Sequence, residues 1–192
     1  MKNETSDRRV KYTKNQLKAA MVTLLKERRI SKISVKSLCE IADVNRSTFY
    51  SHYNDQYDLL DQMRLEALNN IKRYLKEYSG TGDMSVSETN LKMILEYGKS
   101  NSELFKAFLS DNCGTAFKED IMELMMILPS YFNAITKERT RDYITVFMLS
   151  GCISILQRWL QDGMPESARE MSEMIMTIMQ AVNRGFENFS AL

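Results

Sequence analysis

Apolar residues in this chain recur at three- and four-residue steps from Leu17 to Phe189, and no segment shows a one-in-two alternation rich in β-branched residues. That spacing lines one face of an α-helix; a strand would need every second residue. Two prolines and seven glycines in 192 residues leave the pattern largely uninterrupted. The chain therefore reads as all-α, with about nine helices and enough length to bury a core without staples. Three scattered cysteines, Cys39, Cys113 and Cys152, imply no disulfide framework.

The interruptions divide the chain. Residues 1–12, with Arg8, Arg9 and Lys11, read as a flexible basic arm. Thr13-Lys-Asn-Gln16 has the form of a capping box and opens a first helix with Leu17, Ala20, Met21, Leu24 and Leu25 inward. Ser34 caps a short second helix that turns Val35, Leu38, Cys39 and Ala42 inward. Asp43-Val44-Asn45 stops it, because Asp and Asn tolerate left-handed and capping conformations. Asn45 then caps a third helix running to about Tyr53, and residues 13–54 form one helix-turn-helix domain. A connecting helix over 55–79 ends at Ser79-Gly-Thr-Gly82. The body, 80–192, is expected to hold helices over about 86–99, 102–110, 115–128, 130–137, 139–162 and 167–189.

The helix-turn-helix suggests a partner. On its third helix Phe49 and Tyr53 share the inner face, while Arg46, Ser47, Thr48, Tyr50 and Ser51 lie outward or on the flanks. Arginine suits a guanine edge, hydroxyls suit several bases, and an aromatic ring suits the thymine methyl. Tyr50 and His52 can donate to phosphate oxygens. Phosphates could also sit at the N-termini of helices two and four, with Lys36 adding charge at the former. Residues 1–60 hold twelve Lys/Arg against seven Asp/Glu, and the remainder fourteen against eighteen. A basic front on an acidic body favours double-stranded DNA at that end.

Other classes are disfavoured. With one histidine and no Gly-rich phosphate loop, Gly-x-Ser-x-Gly elbow or Cys-x-x-Cys, neither an enzyme nor a metal or cofactor site is expected. No apolar run approaches the roughly 20 residues of a membrane span, and the N-terminus lacks a secretory apolar stretch. The expected setting is a reducing cytoplasm, without a membrane partner. Cys113 is the one cysteine placed for redox sensing.

Ser34-Val35, Leu38-Cys39, Ala42-Asp43-Val44-Asn45, Thr48-Phe49-Tyr50, His52-Tyr53 and Leu59-Leu60 resemble the N-terminal domain of TetR/AcrR-type transcriptional regulators, over residues 10–60. Gly151, Trp159-Leu160, Gly163 and Met171-Ser-Glu-Met174 are similar to the C-terminal domain of Firmicutes-type members. The resemblance implies base-edge contacts from Arg46, Ser47 and Ser51, and phosphate contacts from Ser34, Thr48, Tyr50, His52 and Gln56. Asp43 stands where the family carries glycine. Gln56 stands where it carries a phosphate-binding lysine, so a shallower salt dependence is expected.

The resemblance further implies a repressor that binds a palindromic operator as a homodimer and is released by a small effector. The effector cavity would lie among Met93, Tyr97, Phe105, Phe108, Phe117, Met122, Met126 and Phe147, whose character favours an apolar ligand. Dimerisation would use Phe147, Gly151 and Ser154 on the penultimate helix and Met171, Ile175, Ile178, Val182 and Phe186 on the last. The alternative is a TetR-like regulator controlled by a protein partner.

Overall fold

The computed structural model describes residues 2–77, 87–127 and 138–187, and among these it is all helix and turn. The expected helix over 130–137, the linker from Ser79 to Gly82, Pro129 and Phe189 lie outside the described residues. Nine α-helices and one 3-10 turn are described. They form two compact units, one of residues 1–67 with 107–116, the other of 68–106 with 117–192.

The first unit holds α1 (Lys2–Glu27), α2 (Val35–Ala42), α3 (Arg46–Tyr50), the first half of α4 (Gln56–Glu77) and the turn between α6 (Ser102–Leu109) and α7 (Ala116–Ile127). Leu17, Met21, Leu25, Leu38, Phe49 and Leu59 are at most 1% exposed and make its core. α1 corrects two expectations. It begins at Lys2 instead of at a Thr13 cap, and the basic arm of residues 1–12 is helical. No proline or glycine lies in that segment, so a helix nucleated further along extends through it.

Around the turn the sequence reading matches the structure closely. The Ser34 hydroxyl accepts from the Ser37 N–H (3.1 Å) and starts α2. Asp43 takes the left-handed conformation (φ 50°, ψ 47°) and ends it, with the Val44 N–H reaching back to the Cys39 carbonyl (3.0 Å). The Asn45 side chain accepts from the Ser47 N–H (3.2 Å) and starts α3.

The α6–α7 turn is fastened to the end of α1. Ile30 N–H donates to the Asn112 carbonyl (2.9 Å), and Asn112 Nδ2 donates to the carbonyl of Leu25 (2.9 Å). Leu25 lies in the last turn of α1, where carbonyls have no partner within the helix. Asn112→Ala is expected to cost about 1–3 kcal/mol, by removing one bond and stranding that carbonyl. A lower urea midpoint at constant m-value would report it; an unchanged midpoint would mean that water replaces the amide.

In the second unit α5 (Glu88–Ser100) packs most extensively against α9 (Ala168–Glu187). Ser87 and Asn90 form a capping box at the start of α5, which lets the wholly buried Asn90 keep its polar atoms paired. α8 (Glu138–Gln161) joins α9 through Gly163 (φ 84°) and Met164 (φ 59°). The Met164 N–H donates to the Trp159 carbonyl (2.9 Å), and the Trp159 indole N–H donates to the Glu166 carbonyl (3.2 Å). A left-handed pair there needs glycine first, since a side chain at that φ would be strained.

α8 also departs from expectation. By length and composition it is apolar enough to cross a membrane, although the sequence reading found no such run. Its apolar side is exposed at Tyr143, Val146 and Phe147, the last 73% exposed.

Candidate nucleic-acid interface

Phe49 is fully buried, and its ring meets those of Tyr50 and Tyr53, each with centroids 5.6 Å away. Tyr53 is buried too, with the Lys14 ammonium 5.9 Å from its ring centroid. Burial, and then the nearby Glu66 and Asp58 carboxylates, push the Tyr53 phenol above its ordinary pKa. α3 is thus clamped from behind. Outward, Arg46, Ser47, Tyr50 and Ser51 are all exposed, Tyr50 by 58%.

The hydroxyls are oriented. Ser47 Oγ donates to Asn45 Oδ1 (3.2 Å), and Ser51 Oγ donates to the Thr48 carbonyl (2.7 Å). Each hydroxyl proton is engaged within the protein, so the oxygens turn lone pairs outward and suit the amino groups of adenine or cytosine. Arg46 supplies the donors that a guanine edge needs. Thr48, His52 and Gln56 are half-buried at the rim, the His52 ring set against Tyr53 with centroids 6.3 Å apart. Ser34 and Lys36 are exposed at the start of α2, where Lys36 pairs with Glu40 (3.8 Å). A surface pair of that kind is weak and leaves Lys36 available to phosphate.

Two expectations fail. Arg8, Arg9 and Lys11 are exposed on a helix, which is too wide for the ~6 Å minor groove. The N-terminus of α4 is also closed to phosphate: the Tyr57 and Asp58 N–H groups both donate to Asp55 Oδ1 at 2.8 Å. Asp58 closes the same end, accepting from the Asn54 N–H (2.8 Å) and from the side-chain amides of Asn54 and Gln62. The Asn54 N–H, then the Gln62 amide, hold its carboxyl below the ordinary range. The aspartates were visible in the sequence, but the cap was read as free amides.

The residues expected around a cavity separate. In the second unit Tyr97 meets Tyr74 (5.7 Å) and Phe105 (5.4 Å), Phe105 meets Phe117 (5.8 Å), and Asn70 Nδ2 donates to the Tyr97 hydroxyl (3.0 Å). Met93 and Met122 are half-buried. Phe108 is fully buried but belongs to the first unit, and Phe147 faces outward, so neither joins that cluster. The Met126 side chain lies outside the described residues.

The dimerisation set divides likewise. Phe147, Gly151 and Ser154 are exposed on α8, and Ile178 is exposed on α9, with Val182 half-buried beyond it. Met171 and Ile175 are buried within the protomer and therefore belong to its core. The exposed side of α9 runs through Met174, Ile178, Ala181 and Gly185 instead. The Phe186 side chain is outside the described residues. Burial pushes the Cys113 thiol up to about 11, with Arg64 pulling partly the other way. A thiol so protonated at neutral pH is a poor redox sensor.

Residues 86–181, half of the chain, match a TetR-type family model described as a transcriptional regulator C-terminal region. The chain belongs to the TetR family of transcriptional regulators. DNA binding through a helix-turn-helix follows from that membership, and in this TetR-family protein α2, the Asp43–Asn45 turn and α3 supply the motif. A curated relative, the uncharacterized HTH-type transcriptional regulator YxbF of Bacillus subtilis (strain 168), is 20% identical over 168 residues. The match covers 85% of this TetR-family chain, which spans 44% of that relative's length. A solved TetR transcriptional regulator from Streptococcus agalactiae 2603V is 25% identical with a TM-score of 0.64, over 92% of this chain and 98% of that one. The fatty acid degradation regulator FadR from Bacillus halodurans shares the fold, with 12% identity, a TM-score of 0.60 and coverage of 86% and 96%.

Proposed function

We propose that this TetR-family protein is a repressor that binds a palindromic operator as a homodimer and lets go when a small, largely apolar effector binds. The observation that carries the reading is the exposed face of Arg46, Ser47, Tyr50 and Ser51, backed by the buried Phe49 and Tyr53. In this reading Arg46 reads guanine, and Ser47 and Ser51 accept from adenine or cytosine amino groups. Ser34, Lys36, Thr48 and His52 at the rim hold phosphates, and Gln56 bonds to one without neutralising it.

Two such heads are needed, since one short recognition helix buries little DNA. The exposed apolar stripe on α8 and the neighbouring stripe on α9 support a symmetric four-helix contact between two copies. Covered in that way, α8 has no need of lipid, and a cytoplasmic location accords with the reading. The rings of Tyr97, Phe105 and Phe117 support an apolar effector site in the second unit. An effector that favours one spacing of the heads weakens DNA binding by its differential affinity. A protein partner in the effector's place would need an exposed apolar face, and the α8 stripe suits it only if the chain is monomeric.

The test is selection of binding sites from random duplex DNA by the purified chain. A palindrome is expected; enrichment of nothing above background would end the reading. With Arg46→Ala, one base pair per half-site should lose its preference, at a cost of roughly 1–3 kcal/mol. An unaltered motif would take Arg46 out of the reading role.

A further inference from the structure

The α4 N-terminus directly follows the recognition helix, with Asp55 four residues beyond the exposed Ser51. In shape it is an anion site, a helix start with inward-facing amides. Here the protein has filled it with its own charge. Asp55 Oδ1 takes two of the amides at 2.8 Å, and Asp58 takes the Asn54 N–H at 2.8 Å and the Gln62 amide at 2.8 Å. Between them stands Gln56, which is neutral. Asp55 is exposed, so its remaining field reaches outward beside the reading face.

We infer that Asp55 and Asp58 are a charge brake on DNA binding: they occupy the α4 anchor, repel the phosphate that would dock there, and hold operator affinity below what the α3 face could give. This rests on the DNA-binding reading above. The binding that remains is carried by the α2 and α3 contacts, and it rises when the brake is removed. The effect is electrostatic, acts within about one Debye length of ~10 Å, and is screened by salt. Such a regulator leaves its operator readily, and a modest differential affinity of an effector is enough to clear it.

The experiment uses the full chain and the duplex that the wild type selects from random DNA. Asp55→Ser and Asp55→Asn both keep a capping oxygen and remove the charge. Each is expected to bind at least threefold tighter at about 0.1 M salt. The slope of log affinity against log salt should steepen by up to about 0.9 per head. Glu77→Gln makes the same change of net charge at the far end of α4, about 33 Å away at 1.5 Å per residue, and should alter neither. Unfolding temperatures within about 2 °C of wild type show that the fold is intact. The brake is overturned if both Asp55 variants bind like wild type, if Glu77→Gln gains as much, or if the gain survives unchanged in high salt. A wild type that selects no duplex overturns the DNA reading itself, which is a separate outcome.

Discussion

Replacing Phe49 with alanine is expected to cost roughly 3–5 kcal/mol and to abolish DNA binding along with the fold of the first unit. Its side chain is fully buried, and truncation leaves a cavity between α1, α2 and α3. The residue is also a backbone hub, since its carbonyl accepts the N–H groups of His52 (2.9 Å) and Tyr53 (3.0 Å). A domain of ordinary stability has about 5–15 kcal/mol to lose, so a large part of it rests on this ring. Tyr50→Ala removes a ring of similar size that is mostly exposed, and should cost only about 1 kcal/mol. Urea unfolding followed by circular dichroism separates the two. Equal costs for both variants would mean that α3 is not braced from behind as described.

A second large effect is expected at the opposite end of the chain. Phe147→Glu puts a charge on the exposed stripe of α8, where in a symmetric contact each copy also presents its own mutated residue. Burying that carboxylate unpaired costs several kcal/mol, and like charges add repulsion, so the variant should be monomeric at micromolar concentration. Light scattering after size exclusion reads the mass directly. Operator affinity should fall at least a hundredfold as the paired half-sites lose simultaneous engagement. Phe147 is exposed in the single chain, so the protomer itself should stay folded. Leu65→Glu, at an exposed apolar position of α4, is the control and should leave the mass unchanged. A dimeric Phe147→Glu protein with wild-type affinity would place the subunit contact elsewhere.

The helices were legible in the sequence where pattern and punctuation agree. Ser34, Asp43 and Asn45 are residues whose side chains impose a local geometry, and the structure places each in its expected role as cap or left-handed stop. The start of α1 was not legible, because Thr13 and Gln16 form a plausible cap that a continuing helix outcompetes once upstream residues offer no breaker. The reading face was legible from 100° spacing alone. Its polarity was not: whether Asp55 leaves helix amides free or takes them itself depends on one side-chain torsion. On α9 the apolar stripe is broad, so spacing could not tell Met171 and Ile175, which are core, from Met174 and Ile178, which face out. Asn112 carries no sequence signal for its tie to Leu25, a contact between residues 87 apart in the chain.

That last tie bears on how the protein is made. Synthesis runs from the N-terminus, so a DNA-binding unit that borrows residues 107–116 must wait for them after residue 67 has been added. At about 5–20 residues per second the wait is roughly 2–10 seconds. Throughout it the tip of α1 lacks the amide of Asn112, and the nascent head is held short of its final stability. For the same reason a fragment cut after α4 is a poor substitute for the intact reader, however complete its helix-turn-helix looks on paper.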